Sequence, residues 1–440
     1  MPYSQQRYER ALEIINNGFA AFHKVGAKAY DPSLDTSRML DDAFGQPSGK
    51  FRSIHIAGTN GKGSTAHTLA AILSSAGFRT GLYTSPHIVD FRERIRIDCE
   101  MITKDAVADF IERWNGLDLS VHASFFEMVT CMAFDYFARC GVDVAVIETG
   151  LGGRLDSTNI ITPELSVITN ISLDHTAILG NDLQSIAREK AGIIKHGVPV
   201  VIGEAEGEVA QVFSETARNT GSTIRFADRE NQIISTTEMP DGTQRYLTRN
   251  FGIIDAQLSG ECQTRNAATI LTAIDTLRQR GFSIPTEAVI NGFADVCTST
   301  GLMGRWSRLS APGVSPVVIA DTGHNPGGWK YLAGRLAAIP GPKELVIGFV
   351  ADKDVATVLR MIASIPECRF HATAPSNERA MPAAKLAIEA ENVGINVADV
   401  SDDVMTSYRK AIAAAAPDAT VFVGGSTFVV ADLMQELSAL

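Results

Sequence analysis

The stretch Ile54-His55-Ile56-Ala57-Gly58-Thr59-Asn60-Gly61-Lys62-Gly63-Ser64-Thr65 constrains the fold of this chain more than any other. An apolar run ends in a glycine-rich loop, and the loop opens into a segment of helical character, Ser64 to Ala76. Strand, glycine turn and helix in that order form a cradle for a polyphosphate. Glycine lets the backbone approach the anion, the first N–H groups of the helix supply positive potential, and a lysine reaches the outer phosphates. The common pattern G-x-x-x-x-G-K-[ST] would need glycine at Ile56 and a hydroxyl at Gly63. Here Gly63 stands between Lys62 and Ser64, so the loop is a variant with its own spacing. A glycine turn carrying a surface lysine is the plainer reading, but the flanking strand and helix and the pair Ser64-Thr65 favour a nucleotide.

Alternation of strand-like and helical segments surrounds this loop. Phe51–Ala57, Val142–Ile147, Leu165–Thr169 and Val198–Ile202 read as strands, and Phe125–Cys140, Leu183–Ile194 and Thr264–Gln279 as helices. That pattern predicts a doubly wound, mainly parallel α/β sheet with helices on both faces. Residues 223–260 read as a small antiparallel addition, with alternation at Ile224–Phe226 and Tyr246–Thr248. At 440 residues two domains are expected. The small residues and glycines of Thr298–Gly304 mark the boundary. The reading is a nucleotide-binding domain over residues 1–297, a linker over 298–304, and a smaller Rossmann-like α/β domain over 305–440.

Composition excludes several classes. A net charge of −11 argues against a nucleic-acid surface. The six cysteines show no C-x-x-C pairing and read as reduced thiols rather than a disulfide framework or zinc site. With no secretory h-region and no apolar run near the ~20 residues that span a bilayer, a cytoplasmic protein without a membrane partner is expected.

Four further constellations carry chemistry. Gly81-Leu82-Tyr83-Thr84-Ser85-Pro86-His87, followed by Phe91-Arg92-Glu93-Arg94-Ile95, falls where the next strand should end, and Ser85 could offer a hydroxyl to a cation. In Val146-Ile147-Glu148-Thr149-Gly150-Leu151-Gly152-Gly153-Arg154-Leu155-Asp156, an acid at the tip of a buried strand faces a glycine-rich loop, the place of a Mg²⁺ carboxylate in phosphoryl transfer. For Arg154 and Asp156 a surface loop is the plainer reading. Thr169-Asn170-Ile171-Ser172-Leu173-Asp174-His175 ends another strand and leads to Glu189-Lys190-Ala191-Gly192. Ser85, Glu148 and His175 together suggest a second cation site beside the one at Ser64. Gly304-Arg305-Trp306 and Asp321-Thr322-Gly323-His324 supply an arginine for developing charge and an acid for a ribose or metal.

Taken as a set, these motifs resemble those of the folylpolyglutamate synthase and dihydrofolate synthase family of the Mur ligase superfamily. The loop Gly58–Ser64, the segment Ser85–Ile95, the run Glu148–Asn159 and the pair Leu173–His175 with Glu189–Gly192 occur in family order, and the resemblance covers essentially the whole chain. It implies an ATP-dependent ligase that adds L-glutamate to dihydropteroate, folate derivatives or both, through an acyl phosphate. Thr59, Asn60, Gly61, Lys62, Gly63 and Ser64 would hold ATP phosphates and one Mg²⁺, and Ser85, Glu148 and His175 a second. Lys62, His175 and Lys190 would be catalytic, with Lys190 matching the lysine that is carbamylated in the family. Asn266, Arg305 and Asp321 match positions that hold the rest of ATP. Ser124, Phe125, Phe126, Glu127, Leu155, Asp156 and Ser157 match pterin-side positions, with Asp31 as a further candidate, and His324 is a candidate for glutamate. A monomer is expected. Gly304-Arg305-Trp306-Ser307 stands where many members read Pro-Gly-Arg, and Thr322-Gly323 where Gly-Ala is frequent. Neither change removes a functional side chain.

Two other readings compete. A cell-wall Mur ligase acting on a UDP-MurNAc substrate would normally carry an additional N-terminal domain, and only ~50 residues precede this loop. A nucleotide-dependent switch or binding module would not need three strand-end ligands and a second α/β domain.

Overall fold

A computed structural model of the chain describes residues 3–19, 32–117, 122–311 and 313–438, and Asp31 lies outside the described residues. Two compact units result: one comprises 1–172 and 176–302, the other 173–175 and 303–440.

The N-terminal unit is built on eight strands: β1 (Arg52–Ala57), β2 (Thr80–Tyr83), β3 (Ile95–Ile97), β4 (Glu100–Met101), β5 (Val144–Glu148), β6 (Leu165–Ile168), β7 (Val200–Ile202) and β8 (Ile224–Phe226). Their order is β4-β3-β2-β5-β1-β6-β7-β8. Six strands run parallel from β2 to β8, and β3 and β4 add antiparallel at one edge. Central strands are buried along almost their whole length because both faces are covered, with Ser53, His55 and Ser166 the buried polar exceptions on β1 and β6. On β5, Val144 and Val146 enter the core shared with helices Lys62–Ser75 and Glu261–Gln279, while Ala145 and Ile147 enter the core shared with Phe125–Arg139.

Two expectations are corrected. Ile224–Phe226 is the eighth strand of the parallel sheet, paired with β7, and not part of the antiparallel addition. That addition consists of β9 (Ile233–Glu238), β10 (Gln244–Thr248) and β11 (Ile253–Ala256). Residues 298–300 are not linker. A helix spans Thr286–Thr300 and packs so closely on Lys62–Ser75 that a Cβ on Gly292 would lie 2.7 Å from the Ile72 backbone nitrogen. Its last residue is buried and bonds His67 (Thr300 Oγ1 to Nδ1, 2.8 Å), and Gly301 ends the helix at φ +65°. The last turn, Thr298-Ser299-Thr300, carries no large apolar side chain and so left no helical signal in the sequence.

The C-terminal unit has β12 (Ser307–Arg308), β13 (Val317–Asp321), β14 (Lys343–Ile347), β15 (Cys368–Thr373), β16 (Val397–Ser401) and β17 (Thr420–Gly424). They are ordered β12-β13-β17-β14-β15-β16, all parallel except β12. Leu345 and Ile347 face one core and Val346 the other, again a sheet covered on both sides. Both units therefore place candidate side chains at the carboxyl ends of parallel strands, where such sheets bind ligands.

Candidate active site

The loop after β1 is held by the strand beside it. Thr59 N–H donates to Asn170 O at 2.9 Å, and Asn60 N–H to Asn170 Oδ1 at 3.0 Å. Thr59 Oγ1 and Ser172 N–H are 3.1 Å apart, and Thr169 Oγ1 donates to Asn60 O at 2.6 Å. Two glycines are obligatory here. A Cβ on Gly58 (φ +148°) would sit 1.9 Å from Thr169 Oγ1, and one on Gly61 (φ +84°) 2.3 Å from Asn266 Oδ1. The helix begins at Lys62 directly after Gly61, so its first N–H groups face the loop.

Two lysines converge on this loop. Lys62 Nζ donates to Gly58 O at 3.1 Å and Thr59 O at 3.2 Å; the buried Lys190 Nζ donates to the same Gly58 O at 2.8 Å. Ser64 is buried and its hydroxyl accepts from Gln263 Nε2 at 3.3 Å; Gln263 Oε1 in turn accepts from Asn266 Nδ2 at 2.9 Å. Asn266 and the phosphate loop are thus brought together. Asn170, Ser172 and Gln263 were not singled out in the sequence. Ordinary polar residues facing a loop from another element leave no local signature.

At the neighbouring strand ends, Ser85 N–H donates to the buried Glu148 Oε2 at 3.0 Å. A carboxylate and a hydroxyl on adjoining residues are hard oxygen donors of the kind Mg²⁺ takes. Among the described residues no group of three or more His, Cys, Asp or Glu side chains is arranged around one metal position. His175 falls in the C-terminal unit, with Nε2 3.9 Å from Asp174 Oδ1.

The pterin-side candidates divide by what their side chains already do. Ser124 and Glu127 form a reciprocal cap on the helix Phe125–Arg139: Ser124 N–H donates to Glu127 Oε2 at 2.7 Å, and Glu127 N–H to Ser124 Oγ at 3.3 Å. Phe126 covers Gly150, where a Cβ would lie 2.5 Å from the ring, and its ring is 5.8 Å from Tyr83. Asp156 is no surface residue. Its buried carboxylate accepts Leu151 N–H at 2.8 Å and Thr158 N–H at 3.0 Å, and burial pushes it above the usual carboxylate range against those bonds. Leu155 and Ser157 flank it. Arg154 is exposed and paired with Glu189 (2.9 Å), while a Cβ on Gly153 would meet Glu189 O at 2.8 Å. Glu148's loop is therefore seated on the helix that carries Lys190.

Nearby, Arg94 is only 4% exposed. Its Nε donates to His87 Nδ1 at 2.7 Å, and its Cζ lies 5.2 Å from the Phe125 ring centre. Burial pushes this guanidinium down, opposed by Tyr83, Glu93 and Glu148.

In the C-terminal unit, Asp321 ends β13. Its Oδ2 accepts Trp306 N–H at 2.7 Å and its Oδ1 accepts Gly323 N–H at 2.8 Å. Burial pushes this carboxyl up; Arg305 and the two N–H groups oppose that. Arg305 Nη1 bonds Gly304 O at 3.0 Å and also Thr322 Oγ1. His324 Nε2 meets Asp174 Oδ2 at 3.2 Å and its Nδ1 meets Thr322 O at 3.1 Å. Both ring nitrogens face oxygen atoms. Asp174 also accepts from Asn325 Nδ2 (2.9 Å), Lys353 Nζ (2.6 Å) and His175 N–H (2.8 Å). Burial alone would raise its carboxyl, but His324, Lys353 and His175 bring it far below the usual range. Asp174 and Lys353 were missed as site residues, because nothing in Phe349-Val350-Ala351-Asp352-Lys353 announces a partner at residue 174.

Comparisons with known proteins identify relatives along the chain. Residues 56–274 match the Mur ligase middle domain and 304–427 the Mur ligase, glutamate ligase domain. The chain is 35% identical to the dihydrofolate synthase/folylpolyglutamate synthase of Escherichia coli K12, over 99% of this chain and 98% of that one. It is 33% identical to the folylpolyglutamate synthase of Lacticaseibacillus casei, over 90% and 92%. The structure of E. coli FolC in complex with DHPP and ADP superimposes with a TM-score of 0.84 at 31% identity, covering 100% of this chain and 99% of that one. A bifunctional folylpolyglutamate synthase/dihydrofolate synthase with Mn, AMPPNP and L-glutamate bound gives 0.81 at 29% identity, covering 99% of each.

Proposed function

The chain belongs to the folylpolyglutamate synthase/dihydrofolate synthase family of Mur ligases, and from that premise we propose how its residues divide the work. It is an ATP-dependent ligase that joins L-glutamate to dihydropteroate, to folates, or to both, releasing ADP and phosphate. The observation that carries the site assignment is the loop Gly58–Ser64, clamped by Thr169 and Asn266 and flanked by two lysines on one carbonyl.

A carboxylate is a poor electrophile for an amine, so ATP first converts it to an acyl phosphate. The loop N–H groups and Lys62 take the phosphates, and the Lys62 ammonium offsets charge developing on the transferring group. Ser64 would hold one Mg²⁺, and Ser85 with Glu148 and His175 another; the buried Glu148 carboxylate beside Ser85 suits such an ion. Bound there, Mg²⁺ would neutralise phosphate charge. Asn266, in the N-terminal unit, and Arg305 and Asp321, in the C-terminal one, take other parts of the nucleotide. His324 and its Asp174 support orient glutamate, whose neutral amine attacks the acyl carbon and expels phosphate.

Lys190 is the candidate for carbamylation. Lys62 and Lys190 both donate to Gly58 O, and converting one buried ammonium to a carbamate would replace repulsion between them by attraction. A ¹³CO₂-labelled sample should show a carbamate resonance that Lys190→Ala lacks; its absence from wild type removes this role.

Both dihydropteroate and tetrahydrofolate are taken as acceptors, and the working protein is read as a cytoplasmic monomer. Among the described residues no helix is long and apolar enough to cross a membrane. The deciding assay follows ADP formation with ATP, glutamate and either pterin. Dependence on glutamate and pterin supports the assignment, whereas phosphate release indifferent to both pterins overturns it. Turnover with tetrahydrofolate alone would restrict the enzyme to one activity.

A further inference from the structure

We propose that His55 is a positioning residue of the enzyme, which through Thr158 holds the Asp156 carboxylate ionised and in place; this rests on the ligase reading above. His55 lies in β1, opposite Ile147 of β5 and Ser166 of β6, and is 0% exposed. The same strand leads directly into the phosphate loop at Gly58. His55 Nε2 meets Thr158 Oγ1 at 2.8 Å, and the Thr158 hydroxyl donates to Asp156 Oδ1. Asp156 also accepts Thr158 N–H at 3.0 Å on Oδ1 and Leu151 N–H at 2.8 Å on Oδ2. A continuous buried chain therefore runs from the phosphate-loop strand to the glycine-rich loop that follows Glu148.

Proton positions along this chain follow from counting donors. A hydroxyl has one proton, and that of Thr158 goes to Asp156, so toward His55 its oxygen can only accept. Nε2 must then carry the imidazole hydrogen, which leaves Nδ1 with a lone pair. Nδ1 is buried and has no partner among the described residues, and this suits the same tautomer, since an orphaned buried N–H is the rarer defect. The opposite tautomer would bury such an N–H and turn the Thr158 proton away from Asp156. The imidazolium is excluded too, because burial and the nearby Lys195 charge lower the ring to about 3. One direction of donation remains, from His55 to Thr158 to Asp156.

The consequence falls on Asp156. Burial raises its carboxyl, and the donors from Leu151 and Thr158 oppose that shift. Two of those donors are backbone, fixed by the chain itself; the Thr158 hydroxyl can rotate, and the Nε2–H behind it sets its direction. Hydrogen bonds in such a chain also polarise one another. A site that needed only apolar volume would be met by leucine, with no ring nitrogen left unanswered. Histidine adds the donor. The loop that Asp156 closes packs against Phe126 at Gly150 and against the Glu189 carbonyl at Gly153, and it carries the pterin-side candidates Leu155 and Asp156. The phosphate loop is clamped separately, by Thr169 and Asn170. Loss of the chain should therefore be felt by the acceptor and not by ATP.

Nitrogen-15 NMR of histidine-labelled wild type reads the tautomer directly. His55 should be neutral at neutral pH with its hydrogen on Nε2; hydrogen on Nδ1, or on both nitrogens, overturns the proposal without any variant. His55→Met, close in volume but without a donor, should raise the KM for dihydropteroate about 10-fold and leave the KM for ATP unchanged. His55→Gln, whose amide N–H takes the place of Nε2–H, should bring it back to within about 3-fold of wild type. Because His55 acts only through the Thr158 hydroxyl, Thr158→Val combined with His55→Met should be no worse than Thr158→Val alone. Wild-type kinetics in His55→Met, equal losses in the Met and Gln variants, or additive losses in the double variant each overturn the role. If His55→Met does not fold, an unchanged KM for dihydropteroate in Thr158→Val overturns it. Glutamylation by wild type is run alongside: no turnover sinks the ligase reading itself, whereas turnover with hydrogen on Nδ1 sinks only the role of His55.

Discussion

The phosphate loop and the Asp174 cluster are both strand-end sites, yet they are held in opposite ways. Around Gly58–Ser64 the loop backbone is pinned by uncharged groups of Thr169 to Ser172, main chain and side chain, and two glycines admit neighbours where any Cβ would clash. Around Asp174 one buried carboxylate gathers His324, Asn325 and Lys353, side chains from distant parts of the sequence. A clamp of uncharged groups has no titrating member and is insensitive to pH. A charge cluster is non-local and depends on one ionised group.

The comparison can be broken by substitution, beginning with the largest effect. Lys62→Ala should reduce turnover about 10³-fold, because a preorganised cation at the transferring phosphate is lost. Gly58→Ala should cost about 100-fold without removing any functional group, since a Cβ 1.9 Å from Thr169 Oγ1 must displace the loop. Steady-state kinetics reads both. If Gly58→Ala retains wild-type activity, the loop is not as tightly clamped as the geometry states.

Asp174→Asn should destabilise the protein by about 3 kcal/mol in chemical unfolding, because His324 and Lys353 would keep their burial and lose their anion. The sign with pH follows from its depressed carboxyl. The stability it contributes is fully present above the ordinary aspartate value of 3.8 and is lost as pH falls below that toward the folded value. Acid unfolding of wild type should therefore be steeper than that of Asp174→Asn below about pH 4. Parallel acid limbs would show that the cluster is not held by this charge.

Gln263→Leu gives the smallest change, about 1 kcal/mol, by removing the hydrogen bond to Ser64 and the link to Asn266. It should raise the KM for ATP a few-fold and leave glutamate unaffected. An effect as large as that of Lys62→Ala would place Gln263 in the chemistry rather than behind it.

The two regions were unequally legible for the same reason they are built differently. Gly58, Gly61, Lys62 and Ser64 lie within one short run whose spacing is itself the signal, and Glu148 announces itself as an acid at the end of an apolar strand. For the pterin-side set the sequence showed the residue types but not their contacts. Phe126 keeps a ring near Gly150 and Tyr83, but Ser124, Glu127 and Asp156 turn out to cap and brace their own segments. Sequence spacing cannot separate a polar side chain that meets a ligand from one that satisfies a nearby N–H. Arg94 was legible as part of a motif, though its burial and its bond to His87 were not.

By itself the sequence determined the alternation of strands and helices, the phosphate loop with its displaced glycine, and the strand ends at which chemistry would be found, because each is written in residues close along the chain. Tertiary structure decided that residues 298–300 close the helix Thr286–Thr300 and do not open a linker, that Gly58 must be glycine because Thr169 occupies its Cβ position, and that Asp174 joins His324 and Lys353. Those facts depend on which side chains meet after folding, and burial sets their energies. No local pattern encodes either.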